Sequence, residues 1–206
     1  MARKRVAILI SGRGSNMAAL IDAARKPDYP AEIVLVISNQ PNALGLLVAR
    51  QKGIQTTTID HKAFATRDAF DAALETRLAK ARVDIICLAG FMRLLTTPFV
   101  ERWRGRMLNV HPSLLPALKG LDTHARALAT GVKLHGCTVH FVAPELDSGP
   151  VILQAEVPVL DGDDEKTLAA RVLAEEHRIY PEALKLLAEG KLKVEGERVV
   201  FAGARH

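Results

Sequence analysis

The chain has 206 residues, 49% of them hydrophobic, 25% charged and 4% aromatic, with 28 Lys and Arg against 23 Asp and Glu for a net charge of +5. These proportions describe an ordinary globular chain with one substantial core, and so few aromatic rings leave little from which to build the stacking platform of a single-stranded nucleic-acid binder. The cations are interspersed with carboxylates as on a solvated surface, no apolar run approaches the ~20 residues that span a bilayer, and Cys87 and Cys137 form no spacing motif. The expectation is no nucleic-acid partner, no membrane, and a reduced, cytoplasmic setting.

After the polar lead-in ARKR, the first half alternates strand and helix patterns at short spacing. Strands are predicted in VAILIS, EIVLVIS, GIQTTTI and VDIICLAG, and helices in NMAALIDAARK, ALGLLVARQK and TRDAFDAALETRLAKA. Continuous apolar strands between helices imply a parallel sheet covered on both faces, with ligands beyond the carboxyl ends of the strands. The second half reads differently. RMLNV leads into the turn-rich HPSLLPALKGLDTH, a helix is predicted near HARALATG, and two long strands, KLHGCTVHFVAP and PVILQAEVPV, flank ELDSG as an antiparallel pair. DDEKTLAARVLAEEHRIYPEALKLLAEGKL predicts a long helix kinked or broken around Pro181, and KVEGERVVFAG a closing hairpin. No repeat or linker interrupts the chain, so the expectation is one α/β domain over 1–206: a mostly parallel, Rossmann-like twisted sheet flanked by helices, with an antiparallel strand pair in its C-terminal half.

Four segments carry chemistry. In ISGRGSNM, two glycines bracket Arg13 at the end of a strand, and Ser15 and Asn16 open a helix. Backbone N–H groups and the positive end of a helix suit a phosphate, and the missing third glycine and missing Lys-Ser/Thr argue against a dinucleotide or a triphosphate. A tight turn with a Ser or Asn cap is the plainer account of the same residues. In MLNVHPSLLP, Asn109 and His111 share one face of a strand, ~6–7 Å apart, where two donors aimed at one point would suit an oxygen gaining negative charge. Two satisfied buried side chains are the alternative. Asp147, in the turn ELDSG, either caps that turn or orients His111, from which it is separated by 36 positions (147 minus 111). Glu176 lies at the edge of the helical stripe Leu168, Val172 and Ile179, where a carboxylate needs a cation, a backbone donor or a ligand hydroxyl.

Two other patterns carry less. His124, His135, Cys137 and His140 match no recognised metal-ligand spacing, so no metal is expected. Ser113 is only two residues from His111 and lacks the G-x-S-x-G elbow of a nucleophile.

Taken together, ISGRGSN, LAGFMRLL, LNVHPSLLP, HGCTVHFV, ELDSGPVILQ and EEHRIYP resemble the folate-dependent formyltransferases over nearly the whole chain. The Gly-x-Gly-Ser-Asn loop and the Glu-His-x-x-Tyr-Pro segment narrow the likeness to the branch acting on glycinamide ribonucleotide. The resemblance implies the formyltransferase fold. The stretch to about 104 would bind nucleotide and phosphate, and that from about 105 would carry catalysis and folate binding. It also implies transfer of a formyl group from 10-formyltetrahydrofolate to the substrate amine in purine biosynthesis, without a metal, and is compatible with a homodimer. It assigns catalysis to Asn109, His111 and Asp147, and the ribonucleotide to Gly14, Ser15, Asn16 and Glu176. The folate pocket would be Arg67, Met92, Arg93, Leu94, Leu95, Asn109, Ala143, Pro144, Glu145, Leu146 and Asp147. In PALKGLDTH, Lys119 and Asp122 stand where members often differ.

Two rivals follow from the same likeness and a third belongs to a different class. A formyltetrahydrofolate hydrolase would carry an N-terminal regulatory domain, for which a first strand starting within five residues of Met1 leaves no room, and an initiator-tRNA formylase would usually bring a C-terminal RNA-binding domain. A catalytically silent folate- or nucleotide-binding module is disfavoured by the intact Asn109, His111 and Asp147.

Overall fold

The computed structural model describes residues 2–202. The predicted closing hairpin ends on Gly203, which lies outside them. The described residues form nine strands and six α-helices. A seven-stranded sheet has the order β3-β2-β1-β4-β5-β6-β7. Its strands are β1 (Lys4–Ile10), β2 (Ala31–Ser38), β3 (Thr56–Thr58), β4 (Ile85–Leu88), β5 (Met107–His111), β6 (Leu134–Phe141) and β7 (Val151–Pro158). β1 to β5 run parallel, and β6 alone is reversed, pairing antiparallel with both β5 and β7. The first five strands have the doubly wound order, with the switch between β1 and β4.

The alternation of β1 shows how the layers form. Val6, Ile8 and Ile10 join a core with α1 (Ser15–Ala24), α2 (Leu44–Gln51) and α6 (Glu165–Ala188), whereas Ala7 and Leu9 face α3 (Arg67–Lys80) and α4 (Thr97–Arg102). Each fully buried Ile or Leu of these layers contributes about 1.5–3 kcal/mol. The helix α5 (Thr123–Thr130) follows the turn-rich segment, and β8 (Leu192–Glu195) pairs with β9 (Arg198–Phe201) as a separate hairpin.

Three local expectations need correction. The third strand shrinks from GIQTTTI to three residues. The short helix α4 went unpredicted although its Pro98 stands in the first turn, a position that favours helix entry. Of the kink or break expected around Pro181, the break does not occur: α6 is continuous through the proline, with Ile179, Tyr180, Ala183 and Leu184 buried on both sides of it. Its start is fixed by a capping box: Asp164 accepts from the Thr167 N–H, and the Thr167 hydroxyl oxygen accepts from the Asp164 N–H.

Candidate active site

Asn109 and His111 do share a face of β5, and neighbouring elements commit particular atoms of each. Opposite Asn109 on β6 stands His140, whose Nδ1 lies 2.8 Å from the Phe141 carbonyl. A carbonyl only accepts, so Nδ1 carries the proton and Nε2 is left as an acceptor for the Asn109 amide 3.2 Å away. Burial pushes the His140 pKa down, in keeping with this neutral ring. One Asn109 N–H is therefore spent on orientation and the other remains to be offered.

His111 is fixed from both sides. Its Nε2 donates to the Leu118 carbonyl at 3.0 Å, while Nδ1 faces Asp147 Oδ2 at 3.4 Å. Asp147 does not cap its own turn. Its carboxylate accepts the Gly120 N–H at 2.9 Å and lies 3.9 Å from His140 Nε2, with only 7% of its side chain exposed. The residue sits at φ 49°, a left-handed conformation that Asp tolerates better than most. Residues of two separate segments, β5 and the loop after β6, thus converge, with His140 as a fourth member that the spacing of the chain did not reveal.

The glycine-rich loop lies at the head of α1. Gly14 has φ 76°, and a Cβ there would stand 2.9 Å from Met17 Cε and 3.1 Å from Gly45 Cα. A Cβ on Gly45 would in turn meet the Gly12 carbonyl oxygen at 3.1 Å, and the Gly45 N–H donates to that carbonyl at 3.0 Å, so the loop and the start of α2 touch backbone to backbone. The helix has no side-chain cap, so neither the Ser15 nor the Asn16 hydroxyl or amide closes the turn in that way, and its first N–H groups remain to be used. Asn16 instead donates to Glu176 at 2.6 Å, which answers the question of the carboxylate's partner with an amide rather than a cation. Glu176 is buried within the apolar stripe, not at its edge, and burial raises its pKa. Asn16 Oδ1 is buried and has no partner among the described residues.

The residues assigned to folate fall into two segments. The loop after β4 is held by the Ser11 hydroxyl, which accepts the Met92 N–H at 2.8 Å, and by Asp71, which accepts the Thr96 N–H at 2.7 Å. Met92 and Leu94 stay exposed, Leu95 packs inward, and the Arg93 guanidinium lies 4.7 Å from the centre of the Phe70 ring. Val142, which precedes the loop holding Ala143, Pro144, Glu145, Leu146 and Asp147, packs on the same buried layer as Leu95. Arg67 is exposed at the head of α3.

The two side patterns resolve separately. His135 and His124 bond to each other at 3.2 Å, and burial with the neighbouring imidazoles pushes His135 down to about 4. No cluster of three or more metal-ligating side chains occurs among the described residues. Ser113 is buried with its hydroxyl donating to the Ala117 carbonyl at 2.6 Å, which spends it in the turn.

A formyl transferase family profile matches residues 4–184. The human trifunctional purine biosynthetic protein adenosine-3 is 52% identical over 192 residues, covering 93% of this chain; the chain spans only 19% of that relative's length. The phosphoribosylglycinamide formyltransferase of Escherichia coli K12 is 46% identical over 97% of this chain and 94% of its own. Among solved structures, glycinamide ribonucleotide transformylase 1 from Symbiobacterium toebii superposes with a TM-score of 0.94 at 50% identity, covering 97% of this chain and 94% of that one.

Proposed function

The chain belongs to the formyl transferase family, and from that premise we propose that it transfers the formyl group of 10-formyltetrahydrofolate to the amine of 5′-phosphoribosylglycinamide, a step of purine biosynthesis. One observation carries the reading: Asn109, His111 and Asp147 converge, with a single Asn109 N–H left to offer and His111 Nδ1 turned toward Asp147 at 3.4 Å. The names of full-length relatives support the choice of acceptor.

The donor supplies the formyl carbon to which the amine adds, and negative charge grows on the formyl oxygen. The uncommitted N–H of Asn109 meets that charge. Since Nε2 of His111 is engaged by Leu118, the proton that His111 presents is on Nδ1, between Asp147 and the developing oxyanion. Asp147 orients that proton and can hold a water that carries a proton from the attacking amine to the departing folate nitrogen. On the acceptor side, the N–H groups at Gly14, Ser15 and Asn16 take the phosphate. Glu176 and the unpartnered Asn16 oxygen accept ribose hydroxyls. On the donor side, exposed Met92, Leu94 and Leu146 offer apolar surface to the folate rings, with Arg93 and Arg67 as cations for its carboxylates. One domain over 1–206 would carry both halves of the reaction, with phosphate binding mostly before about 104 and catalysis after it.

The test follows folate product absorbance with purified protein and 10-formyltetrahydrofolate, with and without the ribonucleotide. Product only with the ribonucleotide is expected. Equal product without it would replace the transferase by a hydrolase, and none in either case would leave a binding role.

A further inference from the structure

We propose that Lys119 is a positioning residue that clasps the loop carrying Asp147, and so sets both the orientation of that carboxylate and the shape of the donor side of the site. The inference rests on the catalytic reading of Asp147 and goes beyond it. Two neighbouring residues of the segment after β5 grip two neighbouring residues of the segment after β6. The Lys119 ammonium donates to the Ser148 hydroxyl at 2.5 Å, and the Gly120 N–H donates to Asp147 Oδ2 at 2.9 Å. One contact would let the loop pivot about it, whereas two adjacent contacts fix its direction as well as its distance.

Both sides of the grip are themselves braced. The Lys119 carbonyl accepts from Arg126 of α5 at 2.7 Å, and the preceding carbonyl, that of Leu118, takes the His111 N–H. Ser148 passes its own proton to the Leu146 carbonyl at 3.0 Å, which draws in the loop's tip. Leu118 and Asp147 both hold left-handed conformations, at φ 55° and 49°, which non-glycine residues keep only where surrounding contacts enforce them. Glu145, 3.8 Å from the ammonium but 80% exposed, adds little, since such exposed ion pairs are weak. The same short segment therefore holds His111 by a carbonyl, Asp147 by an N–H, and the loop beyond Asp147 by an ammonium. A change at Lys119 reaches the chemistry without touching a substrate.

The experiment compares wild type with Lys119→Met, which keeps the apolar stem and removes the ammonium, and with Lys119→Arg, Ser148→Ala and the Met/Ala double variant. Hydrogen–deuterium exchange reads the clasp directly. The Gly120 amide and those of 145–149 are expected to exchange about tenfold faster in Lys119→Met, and the double variant to go little further, because coupled neighbours are not additive. In the formyl-transfer assay, kcat is expected to fall and the KM of the folate donor to rise by about tenfold, as small misplacements do, while the KM of the ribonucleotide moves less than about twofold and Lys119→Arg restores most of the loss. Unchanged exchange in Lys119→Met, or losses from Lys119→Met and Ser148→Ala that simply add, would overturn the clasp whatever reaction the protein performs. Faster exchange with no activity in wild type would instead overturn the transferase reading and leave the clasp standing.

Discussion

Asp147 and Glu176 are both nearly inaccessible carboxylates, and the protein holds them in opposite ways. Asp147 stands on a loop and is answered from several directions: a backbone N–H from Gly120, His111 at 3.4 Å and His140 at 3.9 Å. Glu176 stands on a long helix amid apolar side chains, has the Asn16 amide as its one hydrogen-bond donor among the described residues, and has its pKa raised by burial. A carboxylate whose lone pairs are met inside the protein is an orienting device. One left with spare acceptor capacity is a place for a ligand's hydroxyls, because an unanswered buried charge is costly until something donates to it.

The largest expected effect breaks the first arrangement. Asp147→Asn keeps the shape but cannot hold a proton on His111 Nδ1 or guide a water, so kcat should fall by about 10²-fold or more with either KM changed by less than about threefold. Equal losses in KM and kcat would make Asp147 a binding residue and erase the contrast with Glu176. Next comes Glu176→Gln, for which the KM of the ribonucleotide should rise by about tenfold with kcat at saturation near wild type, since a ribose contact serves ground state and transition state alike. Steady-state kinetics with each substrate varied in turn separates the two outcomes.

The contrast also explains which parts of the site were legible. A period of two in β5 is enough to put Asn109 and His111 on one face, and a glycine pair before Ser15 and Asn16 is enough to mark an anion-binding helix start. Asp147 is different. No local pattern brings it to His111, and only the family resemblance paired them before the fold was known. His140 was hidden for a related reason: its bond to Asn109 depends on the register of β5 against β6, which neither composition nor periodicity encodes. Lys119 stood out only as a departure from the family, and its contact with Ser148 required two loops to meet. The unbroken helix through Pro181 has the same origin, since tertiary burial of Ile179, Tyr180, Ala183 and Leu184 outweighs one missing backbone hydrogen bond.

The raised pKa of Glu176 gives a thermodynamic form of the comparison. In the unfolded chain this carboxyl ionises near 4.5, and in the folded protein it ionises at higher pH. Within that window the folded state holds a proton that the unfolded state has released, so stability falls as pH rises and the cost is complete above the folded pKa. Glu176→Gln should therefore gain stability relative to wild type as pH rises from 4.5, with the gain levelling off, in urea unfolding measured across a pH series. Bound ribonucleotide should shrink that gain by donating to the carboxylate. A margin that widens below 4.5 would mean that the folded protein favours the charged form, and Glu176 would then resemble Asp147 after all.

The smallest effect concerns the side chain that ties the two regions together. Tyr180, one turn beyond Glu176, donates its hydroxyl to the carbonyls of Leu88 at 2.9 Å and Leu108 at 3.2 Å, at the end of β4 and next to Asn109 on β5. Tyr180→Phe keeps the packing of a fully buried ring and removes only that bond, so it should cost about 1–2 kcal/mol in urea unfolding. If the two carboxylates work independently, each held by its own contacts, kcat and both KM values should stay within about twofold of wild type, because the backbone hydrogen bonds of β4 and β5 still fix the strand ends. A selective fall in kcat would instead show that the placement of Asn109 depends on the helix that carries Glu176, and the two sites would have to be treated as one mechanical unit.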